Sequence, residues 1–207
     1  MKTRALPLAL PLLLLLSCTR ENHASVAVQL ICYPTDTCTF SSTCDKTLIG
    51  SALLDVSVSH TAMLFLQVEN QLTDNTNKDS GLLNTNGAHV NQVSVSYDQV
   101  ALPTDNYYVS NMGIPAGSKS VIAIDAVRDL PQNSAALNAG GAANETLIAK
   151  IKLRGYYDDG SNFETGEFTT GIDLCTGCIP LPQCPAGNRA CPFEGMEPVG
   201  CGTVAGP

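Results

Sequence analysis

Five of the nine cysteines fall in one short stretch near the end of the chain, LCTGCIPLPQCPAGNRACPFEGMEPVGC, as Cys175, Cys178, Cys184, Cys191 and Cys201. Thiols at this density hold a metal, exchange electrons as a redox pair, or staple the chain. The C-x-x-C spacing of Cys175 and Cys178 suits zinc, but no second C-x-x-C follows and no histidine lies nearby to complete four donors. A redox dithiol normally opens a helix, whereas Ile179-Pro180-Leu181-Pro182 follows here and keeps the chain extended. Which of the three applies depends on the compartment, and that is written at the other end of the chain.

The first eighteen residues read MKTRALPLALPLLLLLSC, with Lys2 and Arg4 ahead of an apolar run from Ala5 to Leu16. This is the layout of a secretory signal. As a helix the run spans about 18 Å, short of the roughly 30 Å hydrocarbon core of a bilayer, and Pro7 and Pro11 weaken it further. The end of the run, Leu15-Leu16-Ser17-Cys18, resembles the lipobox of bacterial lipoproteins. The resemblance implies cleavage before Cys18, diacylation of its sulfur and acylation of its new amino group. It makes residues 1–17 a signal peptide and 18–24 an anchor linker. At about 0.8 kcal/mol per buried methylene, two or three acyl chains hold a protein on a membrane for good. Thr19 stands where Asp would mark inner-membrane retention in the enterobacterial sorting rule. The expected location is therefore the outer membrane, lipid-anchored, facing periplasm or cell surface. An ordinary secretory signal cut nearby would export the chain without the lipid.

With Cys18 lipidated, Cys32, Cys38, Cys44, Cys175, Cys178, Cys184, Cys191 and Cys201 remain, an even set in an oxidising space. Four disulfides are expected, with no metal ligand and no cofactor besides the covalent lipid on Cys18. The front group has three members and the back group five, both odd, so complete pairing needs at least one bridge between the two regions. A loop of that length is worth about 5 kcal/mol in the chain-entropy model.

Removal of Lys2 and Arg4 with the signal leaves nine basic against 19 acidic residues, a net charge of −10. No stretch concentrates Lys and Arg, which argues against nucleic acid and anionic headgroups as partners. The body alternates with a period of two at residues 25–32, 54–60, 63–69, 90–100, 120–127, 147–154 and 168–174, and Tyr156-Tyr-Asp-Asp-Gly160 carries hairpin turn chemistry. Residues 70–89 and 128–145 read as long loops, with at most one helical turn over 135–139 before Gly140 and Gly141. The expected architecture is an all-β antiparallel β-sandwich over 25–174, with an immunoglobulin-like arrangement as one form it could take. A disulfide-rich, Cys/Pro-rich tail over 175–207 packs on it. Lipobox, β body and cysteine-rich tail together resemble, in layout, cysteine-rich lipoproteins of the myxobacterial type, a likeness that brings no site residues with it.

The other chemistry is sparse. His23 falls in the linker, and His60 and His89 stand near strand ends without a metal-protease or nucleophile motif. Asp74-Asn75-Thr76-Asn77-Lys78-Asp79 and the group Asp158, Asp159 and Asn162 carry calcium-type oxygen donors, but both read more simply as solvated turns. One of Tyr107 and Tyr108 is expected to pack inward, and Lys150, Lys152 and Arg154 form the wet face of a half-buried strand. The leading expectation is a lipid-anchored cell-envelope protein with a structural or binding role and no catalytic site. Its partners are the membrane, through the anchor, and a protein or an envelope polysaccharide. An envelope hydrolase using His60 or His89, and a metal-binding module on Cys175 and Cys178, are the competing expectations.

Overall fold

Alternating apolar and polar residues bury one face of each strand, and two sheets close on the shared apolar faces. The computed structural model describes residues 25–33, 44, 46–73, 86–98, 102–139, 145–179, 188–191 and 200–203. Cys18, His23, Cys38, Cys184 and the 74–79 cluster lie outside the described residues. One sheet has the order β2(Lys46–Thr47), β1(Val26–Tyr33), β4(Ala62–Asn70), β7(Lys119–Val127). The other runs β3(Ala52–Asp55), β10(Phe168–Cys175), β8(Thr146–Tyr157), β5(Ala88–Asp98), β6(Asp105–Ile114), with β9(Asn162–Glu164) also on β8. β11(Asn188–Cys191) and β12(Gly200–Thr203) pair as a separate ribbon. The all-β sandwich expected from the sequence is the fold observed.

Four local differences have physical causes. The alternation over 54–60 yields only the short β3, because Asp55 folds the following residues into a turn by accepting the Ser57 amide and hydroxyl. β3 then pairs in parallel with β10, so this sheet is not purely antiparallel. The 128–145 region contains α1(Pro131–Ala139), longer than one turn, started by a proline at a position where its missing N–H loses nothing. β6 lies in a stretch with no clean alternation.

β8 shows the alternation most clearly: Leu147, Ala149, Ile151 and Leu153 are fully buried, while Lys150, Lys152 and Arg154 face outward. Lys150 pairs with Asp98 at 2.8 Å, and Arg154 with Glu164 at 2.5 Å. From the opposite sheet Leu64, Leu66, Ile122 and Ile124 complete the core. Two tyrosines tie the sheets together along one side. Tyr97 and Tyr107 donate their hydroxyls to the carbonyls of Ala126 (2.7 Å) and Asp125 (2.9 Å) on β7. Burial pushes both phenols well above their ordinary range, so they stay protonated donors. Arg128 lies 4.9 Å from the Tyr107 ring centroid and bonds Asp105 at 3.3 Å, which fixes that clamp.

One residue lets the central pair close. A methyl group on Gly155 of β8 would overlap the carbonyl oxygen of His89 and stand 2.9 Å from the Phe163 ring. Gly155→Ala is therefore expected to lower stability by roughly 3 kcal/mol. A urea midpoint unchanged from wild type would contradict the close approach.

Candidate functional site

The sandwich end where β5 begins and β8 stops carries a cleft of about 400 Å³, lined by Gly87, His89, Gly113, Ile114, Pro115, Ala116 and Asp158. Strand pairing builds it. In the order β8-β5-β6, Tyr156, His89 and Gly113 are lateral neighbours on the outer face. The Tyr156 and His89 rings stack, with centroids 4.9 Å apart and planes inclined by 14°. Asn111 donates to the Tyr156 hydroxyl at 2.8 Å and holds that ring in place. Beyond Tyr157 the chain turns through Asp158 and Asp159, with Gly160 at φ +82°, and returns Asp158 to His89.

Asp158 Oδ1 lies 2.7 Å from His89 Nε2, and its Oδ2 accepts the Gly87 amide at 2.7 Å. Those two bonds, the His89 one first, hold the Asp158 carboxyl below the usual carboxylate range. An ionised carboxylate only accepts, so Nε2 carries the proton; in the neutral form of the ring Nδ1 then presents a lone pair. Nδ1 makes no hydrogen bond among the described residues. Asp159 is held low by the Ser161 hydroxyl and amide and by the Asn86 side chain, which bonds it at 2.8 Å. Asn70 anchors the arrangement from below, donating to the carbonyls of Asn86 and Ile114, both at 3.1 Å. The site thus offers a fixed imidazole that, when neutral, has one free acceptor, the Asp158 carboxylate in its lining with Asp159 next in the chain, and an apolar floor. No Ser, Thr or Cys side chain is among the described lining residues.

A second polar cluster lies at the end of the β3–β10 pair. Cys175 and Cys178 form a disulfide, with Cα atoms 5.9 Å apart, and Cys32 and Cys44 form another at 5.3 Å. Under the first bridge sits Asp55, fully buried, accepting the amides of Gly177 (2.9 Å) and Ile179 (3.1 Å) as well as the Ser57 amide and hydroxyl. Burial pushes its carboxyl up, but the bonds from Ser57, Ile179 and Gly177 together outweigh that, and its pKa falls to about 2. One Asp55 oxygen and both sulfurs lie within 4.8 Å of one another. The sulfurs are bonded to each other and the carboxylate oxygens are taken by N–H and O–H donors, so the arrangement acts as a capped turn.

The remaining residues singled out from the sequence are dispersed. His60, in the turn after β3, has Nδ1 3.9 Å from Asp129 and a buried Nε2 with no hydrogen-bond partner. It shares no partner with His89. Tyr107 packs inward while Tyr108 is 81% exposed. Cys191 and Cys201 sit on the paired strands β11 and β12. The sequence marked His89 and Asp158 separately but did not join them, and it passed over Gly87, Gly113 and Tyr156 as site residues. The one local signal there is the glycine two residues before His89.

Three outcomes follow from these contacts. A methyl on Gly87 would stand 2.8 Å from Asp158 Oδ2, so Gly87→Ala should displace Asp158 and move the His89 ring ¹⁵N resonances to those of the Asp158→Ala variant; unchanged resonances would exclude the pairing. Peptide mapping without reductant should recover Cys32 linked to Cys44 and Cys175 linked to Cys178. Asp55 stabilises the fold fully above its unfolded pKa of about 4, and that contribution fades as pH falls toward 2. Asp55→Asn should be less stable at pH 7 by roughly 2 kcal/mol, with a flatter stability profile between pH 5 and 2.5, measured by urea unfolding. No protein-family model matches this chain, and no curated protein matches it either.

Proposed function

We propose that this chain is a lipid-anchored cell-envelope protein of the outer membrane that binds a ligand in the cleft at His89. The observation that carries the binding role is the His89–Asp158 pair. A polar group is held rigid on a sheet by Asp158 and Tyr156, with one acceptor left unused, beside an apolar floor. Few, fixed polar groups in an apolar hollow are what recognition of a small molecule requires. The anchor rests on the signal and on the Leu15-Leu16-Ser17-Cys18 pattern, and the two disulfides accord with export to an oxidising space.

The second reading is hydrolysis. An imidazole oriented by a carboxylate is also the base half of a nucleophilic triad, and it is His89, with Asp158, that carries this reading. The described lining supplies no hydroxyl or thiol to activate, so catalysis here would have to run through bound water.

Two measurements test these readings. Metabolic labelling with radioactive palmitate should mark the native chain and not Cys18→Ala; equal labelling removes the anchor. Incubating the purified protein with a panel of chromogenic esters and amides should give the same background rate for wild type and His89→Ala. Turnover that disappears in His89→Ala would replace binding with hydrolysis.

A further inference from the structure

Resting on the reading of the His89 cleft as a binding site, we propose that its ligand is a pyranose unit of a neutral or amino-sugar polysaccharide, stacked on the free flank of His89. In the row Tyr156, His89, Gly113, the phenol covers one flank of the imidazole and Gly113 leaves the other bare. A methyl placed on Gly113 would meet only Cε1 and Nδ1 of His89, both at 3.7 Å. The slot therefore has room for something flat lying against the ring. Ile114, Pro115 and Ala116 form its apolar floor.

The rim decides among flat ligands. With the imidazole neutral, Nδ1 of His89 accepts; Asp158 is about half exposed despite its two bonds, and Asp159 stands beside it, tied to Asn86. These groups call for hydroxyl or ammonium donors and repel carboxylates and phosphates. A purely aromatic ring would stack equally well but would leave those acceptors desolvated and unpaired. A pyranose meets both demands: its C–H face stacks on a π-ring and its equatorial hydroxyls point outward to acceptors. The cleft volume of about 400 Å³ lies toward the lower end of the roughly 300–1,000 Å³ of small-molecule sites, which suits one or two sugar units of a chain that continues into solvent.

The test titrates the ¹⁵N-labelled mature protein with triacetylchitotriose, maltotriose, a trigalacturonate and, separately, indole. Saturable shifts of the Gly87, His89, Gly113 and Tyr156 amides with at least one of the two uncharged trisaccharides, and none with the trigalacturonate, are expected. Gly113→Leu fills the slot at an edge-strand position where a side chain meets no backbone, so it should weaken that binding at least tenfold while leaving the unfolding temperature near that of wild type. His89→Ala should weaken it similarly. Indole binding in place of the sugars would overturn the saccharide assignment while leaving the cleft as a binding site. Absence of shifts with every probe, or sugar binding indifferent to Gly113→Leu, would overturn the assignment and, in the first case, count against the cleft as well.

Discussion

The approach of β8 to β5 at Gly155 is the constraint on which the rest depends. β8 is the hub of its sheet, pairing with β5, β10 and β9, and at Gly155 its backbone comes so near the His89 carbonyl that no side chain fits between them. That contact sets the register in which Tyr156 lies beside His89. It also sets the point at which the chain leaves the sheet, so that Asp158 arrives two residues later beside the Gly87 amide and the His89 ring. Core and cleft are thus two consequences of one register. Tyr157 goes inward to pack on Phe163, with centroids 5.0 Å apart, while Tyr156 goes outward to the imidazole, as the two-residue period of a strand demands.

The two described disulfides act locally. Cys32–Cys44 closes a separation of 12 residues and Cys175–Cys178 one of 3. In the chain-entropy model such loops contribute about 3 and about 2 kcal/mol. Neither joins distant parts of the chain. What joins the end of β3 to the end of β10 is non-covalent: the Asp55 carboxylate gathers donors from the 56–58 turn and from the C-x-x-C turn, and Val56 donates its amide to the Cys175 carbonyl at 2.9 Å. The disulfide stiffens the loop whose amides Asp55 receives. An ionised carboxylate in this position is tolerable only because every burial penalty is met by a directed donor. The same spacing that suggests zinc or redox chemistry in a sequence here builds a hydrogen-bonded cap.

Strands buried on one face were legible because water and core select alternate residues. Residues 147–154 alternate in the sequence and do so in the fold, while in β4 the expected inward row Leu64, Leu66 and Val68 is buried but Phe65 and Gln67 on the other face are buried as well. β6 was not legible, and its position explains why. It is an edge strand whose inward residues Tyr107 and Val109 are only partly buried, and the bulge opposite Val90 to Gln92 shifts the period before Met112 and Ile114, so no unbroken alternation runs along it. The parallel pairing of β3 with β10 was equally hidden, since residues more than a hundred positions apart carry no local mark of their partnership. At the site the difficulty was of another kind. Tyr156 to Gly160 reads as turn grammar, and it is a turn. That a turn also delivers a carboxylate to a histidine 69 residues earlier is a fact of register, and register is fixed by packing across sheets rather than by any short motif.

The two described histidines show what packing adds to residue type. His60 and His89 have similar side-chain exposure, 27% and 28%, and each has an aspartate nearby. His60 sits in a turn, its carboxylate is 3.9 Å away, and its second nitrogen is buried where no ligand could use it. His89 is set by strand pairing on both sides, its carboxylate is at 2.7 Å and is itself fixed by the Gly87 amide, and its second nitrogen opens into a hollow. Holding a group rigid before a ligand arrives removes the entropy of ordering it on binding. Only His89 meets that condition, because the glycines at 87, 113 and 155 let three backbone segments and one ring converge around it.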